Sequence, residues 1–125
     1  MTTVKATKDS FNDLVEKNAI VLVDFWAEWC GPCVRFGPIY EAASNKHPDI
    51  TFAKVDTEDQ PELAGAFGIR SIPTLMVFRD QVLLFEQAGA LPGQALDDLL
   101  QQVRALDMVQ IKKEIADKEA QEPAT

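Results

Sequence analysis

The sequence predicts an α/β fold built on one sheet that is mostly parallel until a closing hairpin. Short runs rich in β-branched residues alternate with stretches of helical apolar spacing, which is the pattern of strand and crossover helix. Two neighbouring runs between residues 74 and 86 are close enough to pair as a hairpin. At 125 residues the chain fits one domain, large enough to bury a core without staples.

Each element has its own justification. Residues 2–6 read as a short edge strand. Residues 9–17 follow as a helix with Phe11, Leu14 and Val15 on one face and Asp9 or Thr7 as its cap. Residues 19–26 form a nearly continuous apolar run rich in Val and Ile, as expected of a central strand covered on both faces, with Asp24 the exception inside it. A helix then runs to Lys46, and Pro38 should kink it because the ring removes an i to i−4 bond. Thr51–Asp56 reads as a third strand and 61–67 as a short helix ended by Gly68. Thr74–Arg79 and 82–86 make the hairpin. Residues 91–106 form a last helix with Leu96, Leu99, Leu100, Val103 and Leu106 at helical spacing. Beyond it Met108, Ile111 and Ile115 keep that spacing among mixed charges, so the helix extends or restarts, with 121–125 frayed. No repeat or internal linker is visible.

Composition narrows the function classes. Hydrophobic residues make up 46% of the chain, and the formal net charge is −8, which argues against a phosphate backbone as partner. Met1 to Lys8 carries no apolar segment of signal-peptide length. The longest apolar run, Ala19 to Val23, stops at Asp24, so a membrane span is not expected. A cytoplasmic protein lives in a reducing compartment, where paired cysteines are more often catalytic than structural.

The only two cysteines stand in Trp29-Cys30-Gly31-Pro32-Cys33, between the central strand and the following helix. At i and i+3 in a first helical turn, their sulfurs share a face and can form a disulfide with little backbone movement. Cys30 should sit at the helix N-terminus, where unpaired N–H groups and the helix dipole favour a thiolate, which makes it the nucleophile and Cys33 the resolving partner. Pro32 suits the first turn, and Gly31 has no side chain to hold off an incoming disulfide. Other readings exist. Zinc needs about four ligands, and this pair could add only His47; haem attachment needs histidine at 34, where Val stands; a structural disulfide closing so short a loop stabilises weakly.

With this motif in place and Ser71-Ile72-Pro73-Thr74 opening a later strand, the chain closely resembles the thioredoxin family. The segment from Val23 through Asp24, Trp26 and Trp29 to Cys33 matches almost letter for letter, and Gly68-Ile69-Arg70 and Gly89-Ala90-Leu91 add to it. The resemblance implies a five-stranded mixed sheet flanked by four helices, with a thioredoxin domain over 1–107 and an extension over 108–125. It also implies a general protein dithiol-disulfide oxidoreductase that works as a monomer. Such a protein binds no cofactor or metal and is recharged by thioredoxin reductase with NADPH. A non-catalytic binding subunit or holdase, or an oxidase or isomerase of the same fold, are the rival readings.

The remaining site residues follow from both sources. Asp24 alternates with Leu22 and Trp26 along the strand, so the three share a face; if that face is buried, desolvation raises the Asp24 pKa. By resemblance it takes a proton from Cys33 through water, whereas the plain alternative is a satisfied buried carboxylate. Lys54 is the matching cation, either opposing that shift or lying on the surface. The resemblance makes Pro73 a cis-proline that brings the Ile72 backbone beside the cysteines for a substrate strand. Trp26 is a core support and Trp29 an exposed contact, and Gly89 and Ala90 line the same groove. His47 is expected to be solvated in a loop. The chain departs from the family pattern at Val34, where a basic residue is usual and which Arg35, next along and pointing elsewhere on the helix, is not expected to replace, at Gln81 in the hairpin turn, and in the extra tail after Leu106.

Overall fold

The computed structural model describes residues 3–121. In chain order the elements are β1 (Thr3–Lys5), α1 (Phe11–Lys17), β2 (Ile20–Trp26), α2 (Gly31–Lys46), β3 (Thr51–Asp56), α3 (Pro61–Ala66), β4 (Thr74–Arg79), β5 (Val82–Ala88), α4 (Gly93–Ala105) and α5 (Met108–Gln121). The strands form one five-stranded sheet in the order β1-β3-β2-β4-β5. β1, β3 and β2 are parallel, and β4 and β5 add antiparallel, so the sheet is mixed.

The sheet is covered on both sides because alternate residues of β2 point to opposite faces. Leu22 packs with Phe36 and Tyr40 of α2, Phe52, Leu75, and Leu96 and Leu100 of α4. Val21, Val23 and Phe25 pack on the other side with Phe11 of α1, Leu63 of α3, Val55 and Met76. The apolar run of β2 therefore divides between two cores, and its one carboxylate falls on the α2 side.

Some boundaries move for local reasons. α1 begins at Phe11 rather than residue 9, because Thr7 and Ser10 bond each other reciprocally and hold a turn ahead of it; neither Asp9 nor Thr7 is its cap, and Ser10 takes that position. α2 contains Pro38, whose missing N–H leaves the Val34 carbonyl without its intrahelical donor. β5 runs on to Ala88 because pairing with Thr74 and Leu75 continues through a polar stretch. α4 starts after Pro92, and Leu106 is its C-cap, with a carbonyl that accepts from Arg79. The Asp80-Gln81 turn has φ of 52° and 69°, the two positive values of a type I′ hairpin, so it turns without the usual glycine. The expected strand start at residue 2 and the frayed end at 122–125 lie outside the described residues.

Candidate active site

Cys30 is the N-cap residue of α2, with extended φ and ψ of −85° and 107°. Its Sγ accepts a hydrogen bond from the Cys33 backbone N–H at 3.2 Å, so the sulfur occupies the place of a capping oxygen. Pro32 lies in the first turn, where no intrahelical N–H is lost. The two cysteines are joined as a disulfide with Cα atoms 5.2 Å apart. Both sulfurs are buried against Ala27, Trp26 and Ile72, while Gly31 and Pro32 are exposed.

The segment before β4 closes the other side. The Ile72–Pro73 peptide bond is cis, and the Ile72 carbonyl oxygen lies 3.6 Å from Cys30 Sγ. The Pro73 carbonyl accepts from the Gly89 N–H at 2.7 Å, which ties the end of β5 to this corner. Gly89 has φ of +102°, a conformation glycine tolerates and other residues resist. Gly89 is thus both a turn glycine and a neighbour of Pro73, and Ala90 follows it, exposed.

Trp29 is 70% exposed beside the cysteines, its indole N–H donating to Glu58 in the loop after β3. Between Trp29, Ile69 and Ile72 the surface sinks into a hollow of about 170 Å³. Glu58 has no local sequence signal, since its contact comes from 29 residues away. Ile69 did have one, in the Gly68-Ile69-Arg70 match.

Beneath α2, Asp24 is fully buried, and neither of its carboxylate oxygens meets a hydrogen-bond partner. No protein group among the described residues supplies the hydrogen bonds that a structurally satisfied carboxylate would take from its surroundings. Burial pushes its pKa up to about 7, and the Lys54 charge pulls the other way. Lys54 itself is half-buried, and its Nζ lies 4.3 Å from the centre of the half-buried Trp26 ring. Tyr40 shares this face; its hydroxyl bonds the Ala53 carbonyl at 2.6 Å and the Leu22 carbonyl at 3.0 Å. Desolvation, with the Asp24 charge behind it, holds the phenol well above its ordinary pKa, so it stays a donor.

His47 is not solvated. It is buried at the far end of α2, Nε2 bonding Asp97 Oδ1 at 2.9 Å and Nδ1 accepting from Arg104 at 2.8 Å.

The thioredoxin family model matches residues 2–102. The chain belongs to the thioredoxin family. It is 58% identical over 119 residues to the Streptomyces coelicolor protein named "Putative thioredoxin 2", covering 95% of this chain and 89% of that one. An alignment of that length has to run into α5. It is 39% identical to the thioredoxin of Bacillus subtilis over 80% of this chain and 96% of the relative. Among solved structures, a point-mutant thioredoxin from Halobacterium salinarum superposes with a TM-score of 0.78 at 33% identity, covering 84% of this chain and 93% of that one. The Plasmodium falciparum thioredoxin gives 0.74 at 34% identity, over 80% and 98%. As a thioredoxin, the protein is a dithiol-disulfide oxidoreductase that reduces protein disulfides through its Cys30–Cys33 pair. Thioredoxins do this with no bound cofactor, and the family's partners are thioredoxin reductase and disulfide-containing proteins in general.

Proposed function

We propose that this thioredoxin acts as a cytoplasmic, monomeric reductant in which Cys30 is the nucleophile, Cys33 resolves, and Asp24 takes the Cys33 proton. The observation that carries the assignment is Cys30 at the N-cap of α2, its sulfur already accepting the Cys33 N–H. A sulfur so placed is favoured as the thiolate.

The Cys30 thiolate attacks one sulfur of the substrate disulfide. That S–S bond breaks, the other substrate sulfur leaves as thiolate, and a mixed disulfide forms. Cys33 then gives up its proton, through water, to Asp24, and attacks Cys30 Sγ. The mixed disulfide breaks, the second substrate sulfur leaves, and the Cys30–Cys33 bond holds the oxidation equivalent. A carboxyl with pKa about 7 can both accept and return a proton near neutral pH. Trp29, the Ile72–Pro73 backbone, Gly89 and Ala90 offer the surface on which the substrate strand lies. Thioredoxin reductase with NADPH restores the dithiol and completes electron transport.

Trapping tests the roles. Cys33→Ser should accumulate a mixed disulfide with insulin, while Cys30→Ser should accumulate none; equal trapping by both would reverse or void the assignment. Equilibration against glutathione tests the direction, since a reductant stays oxidised where an oxidase or isomerase pair is already reduced. The binding-subunit reading requires the wild type to reduce insulin no faster than a variant lacking both cysteines.

A further inference from the structure

The guanidinium of Arg35 lies over Gly31. A Cβ placed on Gly31 would meet Arg35 Nη1 at 3.1 Å, with Cζ at 3.9 Å and Nη2 at 4.0 Å, so the group fills the space that glycine leaves open. Helical side chains lean toward the N-terminus, and position 35 is one turn after position 31, which is why this residue reaches back. Arg35 thus lies on another face of the helix than position 34, as expected, and folds back over the motif from there. Val34, at the position where a base is usual, is 54% exposed and carries no charge. Among the described residues Arg35 enters no salt bridge, although the chain has an excess of carboxylates.

We propose that Arg35 supplies the positive charge at the nucleophile's helix turn, favouring the Cys30 thiolate from over Gly31 in place of a basic side chain at position 34. This rests on the reading of Cys30 as the nucleophile. Arg35 acts through Cys30 and does not touch the reacting sulfur of the substrate. Other charged groups near this end of the sheet include Glu28 and Glu58 around Trp29, Asp24 on β2, Lys54 and Asp56 on β3, Asp59 after it and Arg70 ahead of Ile72. Near pH 6 Asp24 is mostly protonated, since burial pushes it up to about 7, so its charge does not mask that of Arg35. The effect is modest and sensitive to salt, because the guanidinium is exposed and works through a water-like dielectric.

The test is the rate at which iodoacetamide alkylates the reduced full-length protein at pH 6, with the modified cysteine identified by mass spectrometry. Wild type, Arg35→Gln and Arg35→Lys are compared at low salt and at 1 M salt. Arg35→Gln should slow alkylation of Cys30 about threefold at low salt, Arg35→Lys should keep most of the rate, and 1 M salt should remove the difference. An unchanged rate in Arg35→Gln overturns the proposal, as does a loss of equal size in Arg35→Lys, which would not be a charge effect. Alkylation of Cys33 in preference to Cys30 in the wild type would instead overturn the assignment of the nucleophile, so the two failures are separable.

Discussion

Asp24 and Lys54 face each other across the parallel β2–β3 pair, yet form neither a hydrogen bond nor a salt bridge. Lys54 turns its ammonium over the Trp26 ring. The carboxyl is left with a charge close enough to bias it and no group to satisfy it. That combination holds its pKa between the ordinary carboxylate range and the value full desolvation would impose.

Asp24→Asn should slow insulin reduction at neutral pH and stabilise the fold at alkaline pH. The folded pKa is about 7 against an ordinary 3.8, so between these values the folded state holds a proton that the unfolded state has lost. The Asp24 contribution to stability is therefore full below pH 4, falls as pH rises toward 7 and levels off above it, a loss on the order of 4 kcal/mol. The variant lacks this loss. Urea midpoints of the two proteins should separate between pH 5 and pH 8, and parallel profiles would mean that Asp24 does not titrate in the fold.

Lys54→Met should move the Asp24 titration further toward alkaline pH, because the lysine charge is what opposes desolvation. The pH–rate profile of insulin reduction should shift alkaline with it, and the variant should be less stable above pH 7, where the carboxylate has lost its neighbour. Below pH 5 Asp24 is neutral, and only the cation–π contact is lost, about 0.5–1 kcal/mol at a partly exposed site. A profile superposable on that of the wild type would show that the two residues are uncoupled.

How much of this was legible in the sequence depended on how local the cause was. β3 and β4 have the bounds their apolar patterns predict, and the strand–motif–helix order placed Cys30 at the helix end without any structure. Asp24 was visible as the wrong residue in an apolar run. The cis bond before Pro73 was not, because an Ile-Pro pair alone favours trans and only the resemblance pointed the other way. His47 was misread because its neighbours Lys46 and Pro48 look solvated; it is buried by Asp97 and Arg104, which lie 50 and 57 residues downstream. The fold of Arg35 back over Gly31 was not legible either, because spacing gives the face of a helix but not which way a long side chain bends.

His47→Gln should lower stability at pH 7 by about 1–3 kcal/mol, the ordinary effect of unpairing buried polar groups, and leave the reductase rate unchanged. The 16 residues of α2 put this cluster roughly 24 Å along the helix from Cys30. The His47 bond holds Asp97, and the Arg104 bond holds Asp49, below the usual range. Their contribution is present above about pH 4 and lost as pH falls through the lower folded values. The gap between wild type and variant should narrow in acid. A fall in insulin reduction with the fold intact would tie the cluster to the site.

A chain ending at Asp107 should keep its reductase rate and lose modest stability. α5 starts from an Asp107 cap, whose side chain accepts the Gln110 N–H, and it is pinned by the buried Met108 and by a 3.2 Å ion pair between Lys112 and Asp80. Asp80 is in the β4–β5 turn and its N–H bonds Ala19, just ahead of β2, whereas Cys30 follows the other end of that strand. The extension therefore packs at the sheet end remote from the disulfide. Val109 is 81% exposed and Ile115 36%, so the buried Met108 and the half-buried Ile111 carry the apolar contact. Burial of one such side chain is worth on the order of 1–3 kcal/mol, and the exposed ion pair adds little. The remaining domain keeps Arg79 bonded to the Val103 and Leu106 carbonyls, which closes α4 without α5. Urea denaturation and insulin reduction on the shortened chain check both halves. A tenfold loss of rate with native circular dichroism would make α5 part of the functional surface and move the domain boundary to include it.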